Sequence, residues 1–189
     1  MKIEVNGNTL KLMIGDITKQ STEAIVNAAN GTLMGGGGVD GAIHQAAGSE
    51  LVEECRKIRE EDLDGNYLRT GKAVLTQGYN LPAKFVIHTV GPVWDGNNQV
   101  ASERLEESYV NTLNLAKENG ITSIAFPSIS TGVYRYPVQL ASVVALHTIV
   151  EFLQSNRFGE VTMTLFSEQE YQVYEEALKN VLKKFEYAV

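Results

Sequence analysis

Two stretches of this chain carry residue types suited to holding an anion and acting beside it. The first runs Asn27-Ala28-Ala29-Asn30-Gly31-Thr32-Leu33-Met34-Gly35-Gly36-Gly37-Gly38-Val39-Asp40-Gly41-Ala42-Ile43-His44. Its four successive glycines bare their backbone N–H groups and let the chain approach a ligand with no Cβ between. A helical pattern starts at Asp40, so the positive end of a helix dipole points at the same place, which suits a pyrophosphate. Asp40 stands at the loop-to-helix junction, where the helix N-terminus keeps a carboxylate ionised and ready to orient water. His44 comes one helical turn later on the same face, able to orient Asp40 or a water, or to serve the helix structurally. The second stretch, Pro127-Ser128-Ile129-Ser130-Thr131-Gly132-Val133-Tyr134-Arg135-Tyr136-Pro137, offers backbone donors and small hydroxyls at Ser130, Thr131 and Gly132. These suit phosphate oxygens, and the Tyr134 ring can lie flat over a sugar.

Other chemistries find no support in the residue pattern. Gly71-Lys72 is followed by Ala73 and lacks the upstream glycine of a phosphate-binding P-loop. The glycine run does not fit the dinucleotide fingerprint with its acid at the right distance, and no Gly-x-Ser-x-Gly elbow is present. His44, Cys55, His88 and His147 show no ligand spacing, so neither a zinc site nor any other metal or cofactor is expected. Cys55 lies mid-helix beside Glu53 and Glu54, whose charges raise its pKa and make it a poor nucleophile.

The bulk composition narrows the class further. At 189 residues and 43% hydrophobic, the chain is expected to form one domain, residues 1–189, with a sizeable core. Its net charge of −7, with no basic cluster, argues against nucleic acid as a partner. A bound phosphate would therefore be held by backbone amides rather than side-chain cations. The longest apolar runs are too short for a membrane span, and the N-terminus has no apolar leader core. A lone cysteine leaves no internal disulfide, so a cytoplasmic monomer is the expectation.

The elements that must position these residues are legible in outline. Lys2 to Val5 and Thr9 to Ile14 are β-prone and joined through Asn6-Gly7-Asn8, a hairpin signal. Ala24 to Asn27, Ala73 to Thr76, Phe85 to Val90, Ile121 to Phe126 and Val161 to Leu165 read as strands. Helical spacing runs from Asp40 to about Arg59 with a break at Gly48-Ser49. It recurs through Leu105, Tyr109, Leu113 and Ala116 up to Asn119-Gly120, after Pro137, and from Tyr171 to Phe185. Strand-helix alternation of this kind marks an α/β domain with a largely parallel sheet.

Taken together, the motifs resemble the macrodomain family, and within it the MacroD-type ADP-ribosyl hydrolases. The resemblance is carried by Gly15-Asp16-Ile17-Thr18, Asn27-Ala28-Ala29-Asn30, Gly35 to His44, Leu81 to Pro92 and Ser130-Thr131-Gly132-Val133-Tyr134, in family order and spacing. It implies a three-layer α/β/α fold around a central mixed, largely parallel sheet. It also implies that Asp16 accepts from the adenine amino group, the Ile17 backbone meets the ring, and Phe166 stacks on it. From its position alone, Phe166 reads equally as a core residue ending an alternating strand. The resemblance sets Asn27, Gly36, Gly37, Gly38 and Val39 on one side of the ligand. Ser130, Thr131, Gly132, Val133 and Tyr134 lie on the other, and Asn30, Asp40 and His44 at the catalytic end. The activity implied is hydrolysis of mono-ADP-ribose from Asp or Glu side chains, or deacetylation of O-acetyl-ADP-ribose. A non-catalytic ADP-ribose-binding module and an ADP-ribose 1″-phosphate phosphatase use the same pocket and remain alternatives. One departure stands out: Arg135 occupies a position where related hydrolases commonly carry glycine.

Overall fold

The computed structural model describes residues 1–187. Seven strands, β1 (Lys2–Val5), β2 (Asn8–Ile14), β3 (Ala24–Ala28), β4 (Ala73–Gln77), β5 (Phe85–Thr89), β6 (Ser123–Phe126) and β7 (Glu160–Leu165), form one sheet. Their order across it is β1-β2-β7-β6-β3-β5-β4. The inner pairings are all parallel, and β1 and β4 close the two edges antiparallel. Among the described residues there are also a short 3-10 turn at Ile17–Lys19 and five α-helices: α1 (Gly38–Ala47), α2 (Ser49–Glu61), α3 (Asn98–Glu118), α4 (Val138–Ser155) and α5 (Glu168–Tyr187).

Strand alternation distributes the helices. On β3, Ala24 and Val26 join one core while Ile25 between them joins the other. On β6, Ile124 and Phe126 face the first core and Ala125 the second. The larger core packs under α3, α4 and α5 through Tyr109, Ile149 and Tyr174; the smaller packs under α1 and α2 through Ile43, Leu51 and Cys55. With both faces covered, central strands have to be apolar on both sides, which is why Phe85 to Val90 reads as a continuous run. The result is the expected three-layer α/β/α arrangement around a mixed, largely parallel sheet.

Two boundaries and one reading need correction. Helix α3 begins at Asn98, well before the apolar stripe, because Asn97 caps it by accepting from the Val100 N–H. Helix α5 likewise starts at Glu168, in a polar first turn that hydrophobic spacing cannot reveal. The expectation that nothing matches a membrane span overlooked α4, whose 18 residues average a hydropathy of 1.3 and are long and apolar enough to cross one. That composition has another source here: α4 packs beside both α3 and α5 and buries Ala141, Ala145, Ile149 and Leu153 in the larger core.

The first hairpin does more than turn. Asn6 and Gly7 carry φ of 52° and 78°, the paired positive values of a tight two-residue connection. The next residue, Asn8, is 2% exposed and donates through Nδ2 to the carbonyls of Val5, Leu153 and Asn156. Its Oδ1 accepts from the N–H groups of Phe158 and Gly159 at 2.7 and 2.9 Å. One side chain thus ties the hairpin to the end of α4 and the start of β7. Replacing Asn8 by Ala should strand several buried backbone groups and cost about 2–4 kcal/mol, measured as a shift in the urea midpoint.

Candidate active site

Because the inner strands run parallel, the loops following β2, β3, β5, β6 and β7 gather at one edge of the sheet. A cleft of about 230 Å³ opens there, between the glycine loop and the loop after β6. Its walls include Ala28, Asn30, Gly37, Gly38, Val39 and Asp40 on one side and Ser128, Ser130, Gly132, Val133 and Tyr134 on the other. A roomier depression of about 700 Å³ lies over α2, lined largely by Glu50, Glu53, Glu54 and Glu61. That one is an open groove whose carboxylates would repel an anion, so the smaller cleft is the candidate site.

The glycine loop has the geometry expected of a backbone anion site. Gly37 is the N-cap of α1 and brings no side-chain cap, so the first-turn N–H groups face outward without one. Gly38 has φ of +57°, in the left-handed region that glycine tolerates best. A Cβ on Gly41 would come within 2.4 Å of the Gly36 carbonyl oxygen, so the loop can lie down on α1 only over a glycine. Across the cleft, Ser130 (φ +69°) is buried with its Oγ unpartnered, packed where a Cβ on Gly91 would collide with it. Arg135, exposed, also holds a left-handed φ of +60°, which explains why glycine suits this position and why arginine costs about 1 kcal/mol there. The Trp94 N–H donates to the Tyr134 carbonyl at 2.8 Å and zips this loop to the segment after β5.

Asp40 is the one carboxylate in the cleft wall, 5% exposed. Its Oδ1 accepts from Asn27 Nδ2 at 2.8 Å and stands 3.4 Å from His44 Nε2, while Oδ2 has no partner. Asn27 Nδ2 also lies 3.1 Å from His88 Nδ1, and His88 Nε2 is 2.9 Å from Thr76 Oγ1. Burial depresses the His88 pKa to about 3, with the nearby His44 adding to the effect and Asp40 opposing it, so the imidazole is neutral.

Several expected roles change in the light of these contacts. Asn27 is wholly buried and does not touch the cleft; it serves Asp40 rather than a ligand. His44 also stays out of the cleft and borders a separate shallow depression with Met34 and Ser49, behind Asp40. Asn30 does line the cleft, but its amide is already at work. Nδ2 donates to the Gly35 carbonyl, and Oδ1 accepts from the N–H and hydroxyl of Thr32. The Thr131 hydroxyl turns away to Ser128 Oγ, which in turn meets the Tyr174 hydroxyl at 2.6 Å. Gly36 arches over Asp40 rather than lining the cleft, its Cβ position lying 3.3 Å from Oδ2.

The register pair Ile14 and Leu165 brings the ends of β2 and β7 together, so Asp16-Ile17 and Phe166 lie near one another at the same end of the sheet as the cleft, outside its walls. Phe166 is 89% exposed, which removes the core alternative. Asp16 is exposed, and its carboxylate accepts from the hydroxyl and N–H of Thr18, which lowers its pKa. Ile17 is buried against the smaller core.

The scattered His44, Cys55 and His88 also converge, with donor atoms within 4.8 Å of one another, which their sequence spacing does not suggest. Both nitrogens of His88 are nevertheless engaged, by Asn27 and Thr76. The Cys55 thiol is pushed up to about 12, first by burial and then by the charges of Glu54, as the sequence suggested, and of Asp40, which takes the place expected for Glu53. These three side chains therefore form a filled polar core, not an open ligand set.

Residues 26–145 match the family model described as Macro domain. The chain belongs to the Macro domain family. An O-acetyl-ADP-ribose deacetylase from Escherichia coli is 48% identical over 165 residues, 87% of this chain and 92% of that one. A macro domain-containing protein from Chlorobaculum tepidum is 52% identical over 164 residues, 86% and 91% of the two chains. Among solved structures, the Oceanobacillus iheyensis macrodomain with ADP superposes with a TM-score of 0.95 at 52% identity, covering 97% of each chain. The Trypanosoma brucei macrodomain in complex with ADP-ribose gives 0.80 at 41%, covering 89% of this chain and 68% of that one.

Neutral, buried His88 has a consequence for stability. Its folded pKa of about 3 lies below the usual value of 6.5, so the unfolded chain takes up the proton first as pH falls. Stability from this residue is present above pH 6.5 and drains away below it, by about 2 kcal/mol between pH 7 and pH 5. Urea denaturation at the two pH values should show this slope in wild type and its loss in His88→Asn. Equal slopes in the two proteins would contradict the assignment.

Proposed function

We propose that this macrodomain binds ADP-ribose along the cleft and hydrolyses an ester on its distal ribose. O-acetyl-ADP-ribose and mono-ADP-ribose on Asp or Glu side chains are the substrates that suit this chemistry. The observation that carries the reading is the buried Asp40 in the wall of a backbone-lined cleft, with one oxygen tethered and the other unpartnered beneath Gly36. A pure binding site has no need of an unsatisfied carboxylate, which is costly to bury. Relatives named as O-acetyl-ADP-ribose deacetylases support the deacetylase arm.

In this reading the adenine lies against Ile17 and Phe166 with its amino group donating to Asp16. The pyrophosphate takes the N–H groups of the glycine loop and of the α1 N-terminus, countering its charge without a cation. From the other side, the loop from Ser130 to Tyr134 closes on the distal ribose. Water attacks the ester carbon, Asp40 Oδ2 takes the water's proton, and the proton passes to the departing ribose oxygen. General-base assistance of this kind contributes about 10²–10⁴-fold. The substrate's own phosphate is a second acceptor for that proton, and Asp40 then orients the ribose.

Substituting Asp40 separates these roles. Asp40→Ala should lower turnover by about 10²-fold or more while ADP-ribose affinity changes by less than about tenfold, because the group acts mainly in the transition state. The measurement pairs product release from O-acetyl-ADP-ribose and from a Glu-linked mono-ADP-ribosylated protein with calorimetric titration of ADP-ribose. Wild-type rates in Asp40→Ala leave the substrate-assisted route, and a wild type that binds without turnover is a binding module. Release of phosphate from ADP-ribose 1″-phosphate alone makes it a phosphatase.

A further inference from the structure

We propose that Asn27 is the positioning residue for Asp40, and that His88 locks the Asn27 amide in the one orientation that can do this. The proposal rests on the hydrolase reading above. Asn27 Nδ2 has two hydrogens and two buried neighbours, Asp40 Oδ1 at 2.8 Å and His88 Nδ1 at 3.1 Å. Reversing the amide would set its oxygen against a carboxylate with no proton to share, so the NH₂ group must face Asp40. His88 Nδ1 is then an acceptor, its proton sits on Nε2, and Nε2 donates to Thr76 Oγ1 at 2.9 Å. Thr76 in turn donates to a backbone carbonyl, that of Gln77 at 3.1 Å. Every proton of the chain from β4 to α1 is thereby assigned.

Such a chain breaks the symmetry of the carboxylate. Oδ1 is held by Asn27, whereas Oδ2 lies beneath Gly36 and has no partner. Without the tether the group could rotate and exchange its oxygens, and orientation is worth much in a water-delivering site. The titratable groups facing this cluster are Asp40 and His44 from α1, Cys55 from α2 and His88 from β5; β4 contributes only the Thr76 hydroxyl. The family resemblance sets Asn27 beside the ligand, whereas its complete burial removes it from direct contact.

The test compares wild type with Asn27→Ala, Asn27→Asp, His88→Asn and His88→Gln in O-acetyl-ADP-ribose deacetylation from pH 5 to 9. Asn27→Ala should lose about tenfold or more in kcat with KM within about threefold, since orientation and not binding is removed. Asn27→Asp sets a second carboxylate beside Asp40, so the acidic limb of its pH–rate profile should move upward by about one unit or more. His88→Asn keeps an acceptor near the Nδ1 position and should retain most of the rate, whereas His88→Gln should fall with Asn27→Ala. Equal losses in the two His88 variants, an unmoved acidic limb in Asn27→Asp, or a wild-type kcat in Asn27→Ala overturns the proposal. If wild type itself lacks turnover, the hydrolase reading fails separately. The positioning claim is then read by carboxyl-carbon NMR of Asp40, whose titration midpoint must rise in Asn27→Asp; an unchanged midpoint overturns it.

Discussion

The hydrogen bond from Asn27 to Asp40 joins the end of β3 to the first turn of α1, between residues 13 apart in sequence. Between them the chain has to pass out of the sheet, cross its edge and re-enter as a helix. Closing that path on a buried carboxylate is demanding, because an ionised group out of water needs a partner with a proton to give. Asn27 can supply one only while its other hydrogen has somewhere to go, and neutral His88 provides that acceptor. The polar chain through Thr76 thus lets the apolar middle of the sheet carry a charge at its rim.

Around this anchor, the proposed reading has the cleft take up an anion through backbone N–H groups rather than through cations. That accords with a net charge of −7 and with the composition of the walls, which are mostly small residues. Close approach sets the shape. The glycine loop lies on α1 over Gly41, and Ser130 fits beside Gly91. The opposing loop is held in a conformation with two left-handed non-glycine residues, Ser130 and Arg135, each costing about 1 kcal/mol. Its internal bonds, from the Arg135 N–H to Gly132 and the Tyr136 N–H to Ser130, are what sustain that strain. The hydroxyl chain of Thr131, Ser128 and Tyr174 ties the loop to α5 from behind.

Much of the architecture was legible from local pattern. Period-two and helical spacings marked the strands and the buried helix faces, since both signals follow from which side of an element meets the core. Turn chemistry at Asn6-Gly7 and the stop at Asn119-Gly120 were equally local. Polar first turns were not legible: α3 starts at Asn98 through an Asn97 cap and α5 at Glu168, where no apolar residue announces the helix. In α4 the reverse holds, for a helix surrounded by protein has the composition of one surrounded by lipid.

For the site, the sequence by itself determined the ingredients: a glycine run ahead of a helix, an acid at the junction, and a second small-residue loop after a strand. These are contiguous, so their chemistry could be read in order. Only the tertiary structure decided which side chains face the cleft and which support it from behind. Asn27 and Asn30 belong to one short motif and differ by three positions. β3 nevertheless turns Asn27 into the core, while Asn30, just past the strand, lines the cleft. His44, Cys55 and His88 look unrelated along the chain and meet because α1, α2 and β5 pack together. Direction and partnership of a side chain depend on neighbours brought from elsewhere in the chain, and residue spacing alone contains no record of them.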